Sequence, residues 1–151
     1  MNEEKYSSYR EAWTRIGRAL DSDFPFEAVT ILESMISDRL LSFLVGVGVS
    51  PQPTIRSSFF QLIQSWKEVM REREDIEGLE LATKVDDWRR ARNAVVHGLV
   101  KSEPGTPTAR VGPFIDEARE AAEEGKRLAR AVDNWHKRQL RQFRREASKP
   151  E

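Results

Sequence analysis

Asp86-Asp87-Trp88-Arg89-Arg90-Ala91-Arg92-Asn93-Ala94-Val95-Val96-His97-Gly98-Leu99-Val100 is the stretch from which the rest of this 151-residue chain is best read. Projected at about 100° per residue, Leu81, Val85, Trp88, Val95, Val96 and Leu99 share one apolar face of a helix. The slot at the centre of that face is filled by Arg92. Arginine cannot shed its charge, and an unpaired buried charge is very costly. The helix therefore calls for a compensating anion, either a carboxylate from another helix or a phosphate. Asn93 and His97 stand one turn apart on an adjoining polar face, flanked by Arg90 and Asp86.

Working outward, the periodicity predicts an all-α chain of five helices. Tyr6, Tyr9, Trp13, Ile16 and Leu20 form one stripe of a first helix over residues 3 to about 21. Asp21-Ser22-Asp23-Phe24-Pro25 then supplies a stop, an N-cap residue and a proline suited to a first turn. A second helix, about 25 to 46, carries Val29, Leu32, Ile36, Leu40 and Phe43 on one face and Ile31, Leu41 and Val45 on nearly the opposite one. Such a helix is central in a bundle, or shared between a core and a subunit interface. Glu33 and Arg39 lie at the two edges of its main stripe, which makes Glu33 the candidate partner for Arg92.

Paired glycines and prolines at Gly46-Val47-Gly48-Val49-Ser50-Pro51-Gln52-Pro53 mark a loop. A third helix, about 54 to 75, offers Ile55, Phe59, Leu62, Ile63, Trp66, Val69 and Met70 for core packing, and the helix bearing Arg92 runs from about 79 to 101. Ser102 to Thr108 reads as a turn-rich loop. Gly112-Pro113 opens a last helix, about 113 to 148, whose stripe runs through Ile115, Ala118, Ala122, Gly125, Ala129, Val132, Trp135 and Phe143. At about 1.5 Å per residue that helix spans about 50 Å, longer than a domain of this size, so its end is expected to project, to fray or to cross to a second subunit.

Length and composition suit one domain over 1–151 with a real core. With no cysteine there is neither disulfide nor thiolate metal site. No apolar run approaches the roughly 18 residues of a membrane span, so the expectation is a cytoplasmic protein without a membrane partner. The formal charge is zero, yet the signs are segregated. Asp116 to Glu124 holds five acids and one base, and Lys126 to Lys149 nine bases and two acids. Helix-dipole complementarity accounts for such a gradient, and so does a tail that tracks phosphates.

Arg92-Asn93-Ala94-Val95-Val96-His97 resembles the R-N-x-x-x-H form of the R-x(4 to 6)-H signature of the HEPN superfamily, the higher eukaryotes and prokaryotes nucleotide-binding domains. The likeness covers six positions in sequence and about residues 24 to 135 in architecture. It implies a small helical bundle, and in many members a metal-independent endoribonuclease whose Arg and His come from both copies of a homodimer to line one cleft. It further implies a toxin or phage-defence effector, commonly with a neutralising antitoxin protein. Arg130 and His136 satisfy the loosest spacing too, but Ala131 stands where the signature prefers a polar residue.

The residue types fit the chemistry. Cleavage of RNA without a metal requires activating the ribose 2′-hydroxyl, stabilising charge on phosphorus and protonating the departing 5′-oxygen. A guanidinium binds phosphate oxygens in bidentate fashion, and imidazole exchanges protons near neutrality. Catalytic roles thus fall to Arg92, His97 and Asn93, a supporting role to Glu33 and Arg90, and RNA contact to Arg89 and Arg90. No metal and no cofactor are called for: the two histidines are thirty-nine residues apart, with no H-E-x-x-H pattern, and no serine stands in a nucleophile elbow. One imidazole per chain cannot readily be base and acid in the same step, which argues for two copies. The rival reading is a non-catalytic helical dimerisation or RNA-binding module in which Arg92 and His97 are structural. A third is a dimerisation domain whose basic tail binds nucleic acid.

Overall fold

The computed structural model describes residues 3–98, 104 and 111–150, and Leu99 and most of the loop around 102–108 lie outside them. Five helices, α1 (Glu3–Asp21), α2 (Pro25–Val47), α3 (Phe59–Glu72), α4 (Ile76–Gly98) and α5 (Val111–Ala147), follow in order, with no strand among the described residues. None of the helices is long and apolar enough to cross a membrane.

Local chemistry sets the helix ends, and it moves several boundaries from where periodicity alone put them. The third helix begins at Phe59, because Ser58 and Gln61 form a reciprocal capping box. Ile55, read as core, is 89% exposed in the turn before it. The fourth helix begins at Ile76, since the Asp75 carboxylate accepts from the Gly78 N–H at 2.8 Å and so caps it. Within the run expected to hold a stop and an N-cap, Asp23 serves the stop, ending α1 with φ 64°. There the Asp23 and Phe24 N–H groups return to the Leu20 and Ala19 carbonyls, a Schellman arrangement. Gly48 (φ 77°) and Glu74 (φ 54°) end α2 and α3 in the same manner. Pro113 sits in the first turn of α5, where a missing N–H costs nothing.

The chain divides into two compact units, Met1–Met35 with Asp87–Arg127, and Ile36–Asp86 with Leu128–Glu151. In the first, the buried apolar side chains include Ile16, Ala28, Val29, Leu32, Met35, Trp88, Val95, Ala118 and Ala122. Tyr6, the first member of the α1 stripe, is exposed, whereas Tyr9 is half-buried and donates to the Met35 carbonyl. The Trp88 indole N–H donates to the Ala121 carbonyl at 2.8 Å. A Cβ at Gly125 would lie 2.7 Å from Trp88 Cζ2 and 3.0 Å from Leu32 Cδ1, so the small half of the α5 stripe is small because the α4 tryptophan needs the room.

In the second unit, Ile36, Leu40, Phe43 and Leu44 of α2 are buried, as are Leu62, Ile63, Trp66 and Met70 of α3, Ala82 and Val85 of α4, and Leu128, Val132 and Trp135 of α5. Trp135 packs edge-on to Phe43 at 4.6 Å and lies 5.0 Å from Trp66 between ring centroids. Such aromatic pairs add to simple burial. Val45, from the opposite apolar face of α2, remains exposed.

Two glycines separate packing from propensity. Gly125→Ala should destabilise the protein by about 1–3 kcal/mol through overpacking. Gly17→Ala, on exposed α1 with no atom in the way, should stabilise it by about 0.5–1 kcal/mol. Urea unfolding of the two variants beside the wild type reads both signs.

Candidate functional site

The candidate site belongs wholly to the first unit. On α4, Trp88 and Val95 are buried, and Arg92 between them is half-buried. A cation held there needs an anion, and Glu33 of α2 supplies it. Glu33 Oε2 pairs with Arg92 Nη2, with the two side chains 20% and 23% exposed. The second arm of the fork, Nη1, donates to Asn93 Oδ1 at 2.5 Å. Burial pushes the Arg92 guanidinium below the ordinary arginine range, and the carboxylate at its edge keeps the charged form satisfied.

The result is one polar line, Glu33 to Arg92 to Asn93. With Asn93 Oδ1 accepting from Arg92, both amide hydrogens of Asn93 remain to offer a ligand. His97 follows one helical turn after Asn93 and is exposed. Gly98 follows it, half-buried under Phe114 of α5: a Cβ at Gly98 would come within 2.6 Å of Phe114 Cε1. The backbone at this glycine is thus closely approached by an aromatic ring of the same chain.

The flanking residues divide differently from the helical projection. Arg90 is exposed and Arg89 half-buried, and each already takes part in an interaction of its own. Val96, assigned to the apolar face, is at its rim and exposed. Asp86, read as flanking the polar cluster, belongs to the second unit, where it is 1% exposed and accepts from Lys67 Nζ at 2.7 Å. Among the described residues, no three His, Asp or Glu side chains are grouped so as to hold a metal ion.

Comparison with protein-family models, curated proteins and solved structures gives no match to this chain.

A second polar cluster, in the second unit, was not foreseen. Arg39, placed at the edge of the α2 stripe, is buried and pairs with Asp133 of α5 at 2.8 Å, and Lys137 reaches the other oxygen of Asp133 at 2.8 Å. His136 is 3% exposed, and neither ring nitrogen has a hydrogen-bond partner among the described residues. The signal was available: His136 falls four residues after Val132 and seven after Ala129, on the buried spacing of α5. Burial, and after it the Arg39 charge, hold its pKa below the usual histidine value, against the opposing pull of Asp133 and Asp38.

Two outcomes follow from these clusters. His136 is neutral when folded and binds its proton more readily when unfolded, so its contribution to stability is full above about pH 6.5 and is lost as pH falls below that value. The urea midpoint should therefore drop between pH 7.5 and pH 5, and the drop should shrink in His136→Leu. Glu33→Ala and Arg92→Ala, alone and together, should give a coupling energy of about 1–3 kcal/mol in urea unfolding; additive losses would mean the two side chains do not share an interaction.

Proposed function

We propose that this chain is a HEPN-like, metal-independent endoribonuclease that works as a homodimer. The observation that carries the reading is the line Glu33–Arg92–Asn93 ending one turn from an exposed imidazole. Of the five N–H donors of a guanidinium, one is turned to Glu33 and one to Asn93, so the remainder, with the Asn93 amide, suit a phosphate. In the reaction, the ribose 2′-oxygen gives up its proton to a base and bonds to phosphorus, the bond to the 5′-oxygen breaks, and an acid protonates that oxygen. The products are a 2′,3′-cyclic phosphate and a 5′-hydroxyl. Arg92 stabilises charge on the phosphoryl oxygens, and His97 from each of two copies supplies base and acid. A toxin or phage-defence effector, neutralised by a partner protein, is the setting that the resemblance to the HEPN signature implies.

The Glu33–Arg92 ion pair also favours a second reading, in which Arg92 is a structural cation of a non-catalytic helical dimerisation or RNA-binding module. Cleavage assays in EDTA separate the two. The wild type should convert RNA to fragments ending in cyclic phosphate, and His97→Ala should be slower by about 10²–10⁴-fold. Undiminished cleavage by His97→Ala removes His97 from the mechanism; no cleavage by a folded wild type leaves the module.

A further inference from the structure

We infer that the outward face of the last turns of α5, formed by Arg141, Arg144 and Arg145, is a second RNA-binding surface that takes the phosphate backbone of a single strand. The inference rests on the ribonuclease reading only for its choice of RNA as the polyanion, and it adds a place where substrate beyond the cleaved bond is held.

Spacings of three and four residues put the three guanidinium groups within an arc of about 100° on one side of the helix. All three are exposed, and among the described residues no carboxylate pairs with them. Their neighbours along the same side, Lys137 and Arg138, are committed to Asp133 and Glu77. The nearby acid Glu146 is on the far side of the helix from Arg141, where its Oε1 accepts from Gln142 at 3.2 Å. It does not neutralise the arginines. The opposite side of the helix is anchored within the same unit. Phe143 stacks on Phe43 with ring centroids 6.2 Å apart, and the Arg73 guanidinium lies 5.6 Å from the Phe143 ring. The basic face is thereby held outward.

Helix-dipole complementarity does not account for this arrangement. It acts within the last turn and favours no particular side of the helix. Arg141 precedes the last turn, and the three residues share one side. The choice of arginine over lysine also fits phosphate, which it binds in bidentate fashion. About 6 Å of helix separates Arg141 from Arg145, a reach of a few successive phosphates and too short to follow a duplex groove.

The test uses the full chain and a fluorescein-labelled twelve-nucleotide 2′-O-methyl RNA, whose binding is followed by anisotropy from 50 to 200 mM salt. The triple variant Arg141→Gln, Arg144→Gln, Arg145→Gln, its helicity checked by circular dichroism, should bind more weakly. Its plot of log affinity against log salt should be shallower by about 2, at about 0.7 per phosphate contact. Over this fourfold range the wild type should accordingly lose about 16-fold more affinity than the variant. The corresponding triple lysine variant should keep the wild-type slope. An unchanged slope in the glutamine variant overturns the inference. So does arginine-dependent binding to phosphatidylserine-containing vesicles with RNA affinity unaltered. Because the probe has no free 2′-hydroxyl, it reads binding alone: a flat result beside intact cleavage of natural RNA removes this surface only, and a steep result beside absent cleavage removes the nuclease reading only.

Discussion

A guanidinium set between buried tryptophan and valine side chains must be met by an anion, and in this chain Glu33 meets it. Much of the first unit is arranged around that requirement. The Trp88 indole N–H, otherwise a buried donor in want of a partner, is satisfied by the Ala121 carbonyl. The ring is accommodated only because residue 125 has no side chain. Leu32, the neighbour of Glu33, fills the same place from α2. Shape and charge thus set the register of α2 against α4 together. A one-residue slip of either helix would put an aliphatic side chain opposite Arg92, or a carboxylate opposite Trp88.

How far the residues alone reach depends on which force is in charge. Helix number follows from apolar spacing, which is why the stripes of α2 and α3 read correctly through Leu32, Ile36, Leu40, Leu62 and Trp66. Helix ends follow from single side chains that capture backbone N–H groups. The capping roles of Asp75 and of Ser58 with Gln61 are invisible to periodicity, and both boundaries shifted on their account. The pairing of Arg92 with Glu33 was legible because a cation on an apolar face and an acid at the edge of another such face have few other partners. Asp86 and Arg39 were not. Each was read from its own helix, yet its place is decided by a residue distant in sequence, Lys67 for one and Asp133 for the other. His136 shares the buried spacing of α5 with Ala129 and Val132, but a titratable side chain at such a position gives no apolar signal.

The two units handle buried polarity differently. In the first, one ion pair is about a fifth exposed and continues into an amide that has donors to spare. In the second, Lys67 with Asp86 lies deeper and Arg39 is buried against Asp133, near an imidazole with no hydrogen-bond partner among the described residues. Buried pairs of this kind rarely add to net stability over apolar residues of equal volume, although breaking one is costly. The first arrangement leaves donors near solvent, whereas in the second both nitrogens of a buried imidazole and Arg39 Nε are without a hydrogen bond among the described residues.

Among the described residues, two corners adopt a left-handed backbone without glycine, Asp23 at the end of α1 and Glu74 at the end of α3. At Asp23 the side chain has an occupation, because its carboxylate pairs with Arg119 of α5. Glycine there would ease the backbone and forfeit that pairing. Glu74 is exposed and has no described partner to forfeit. Sequence drift should consequently run freely toward glycine or asparagine at position 74 and be held back at position 23, so that two corners of the same backbone geometry leave unequal marks on any lineage descended from this chain.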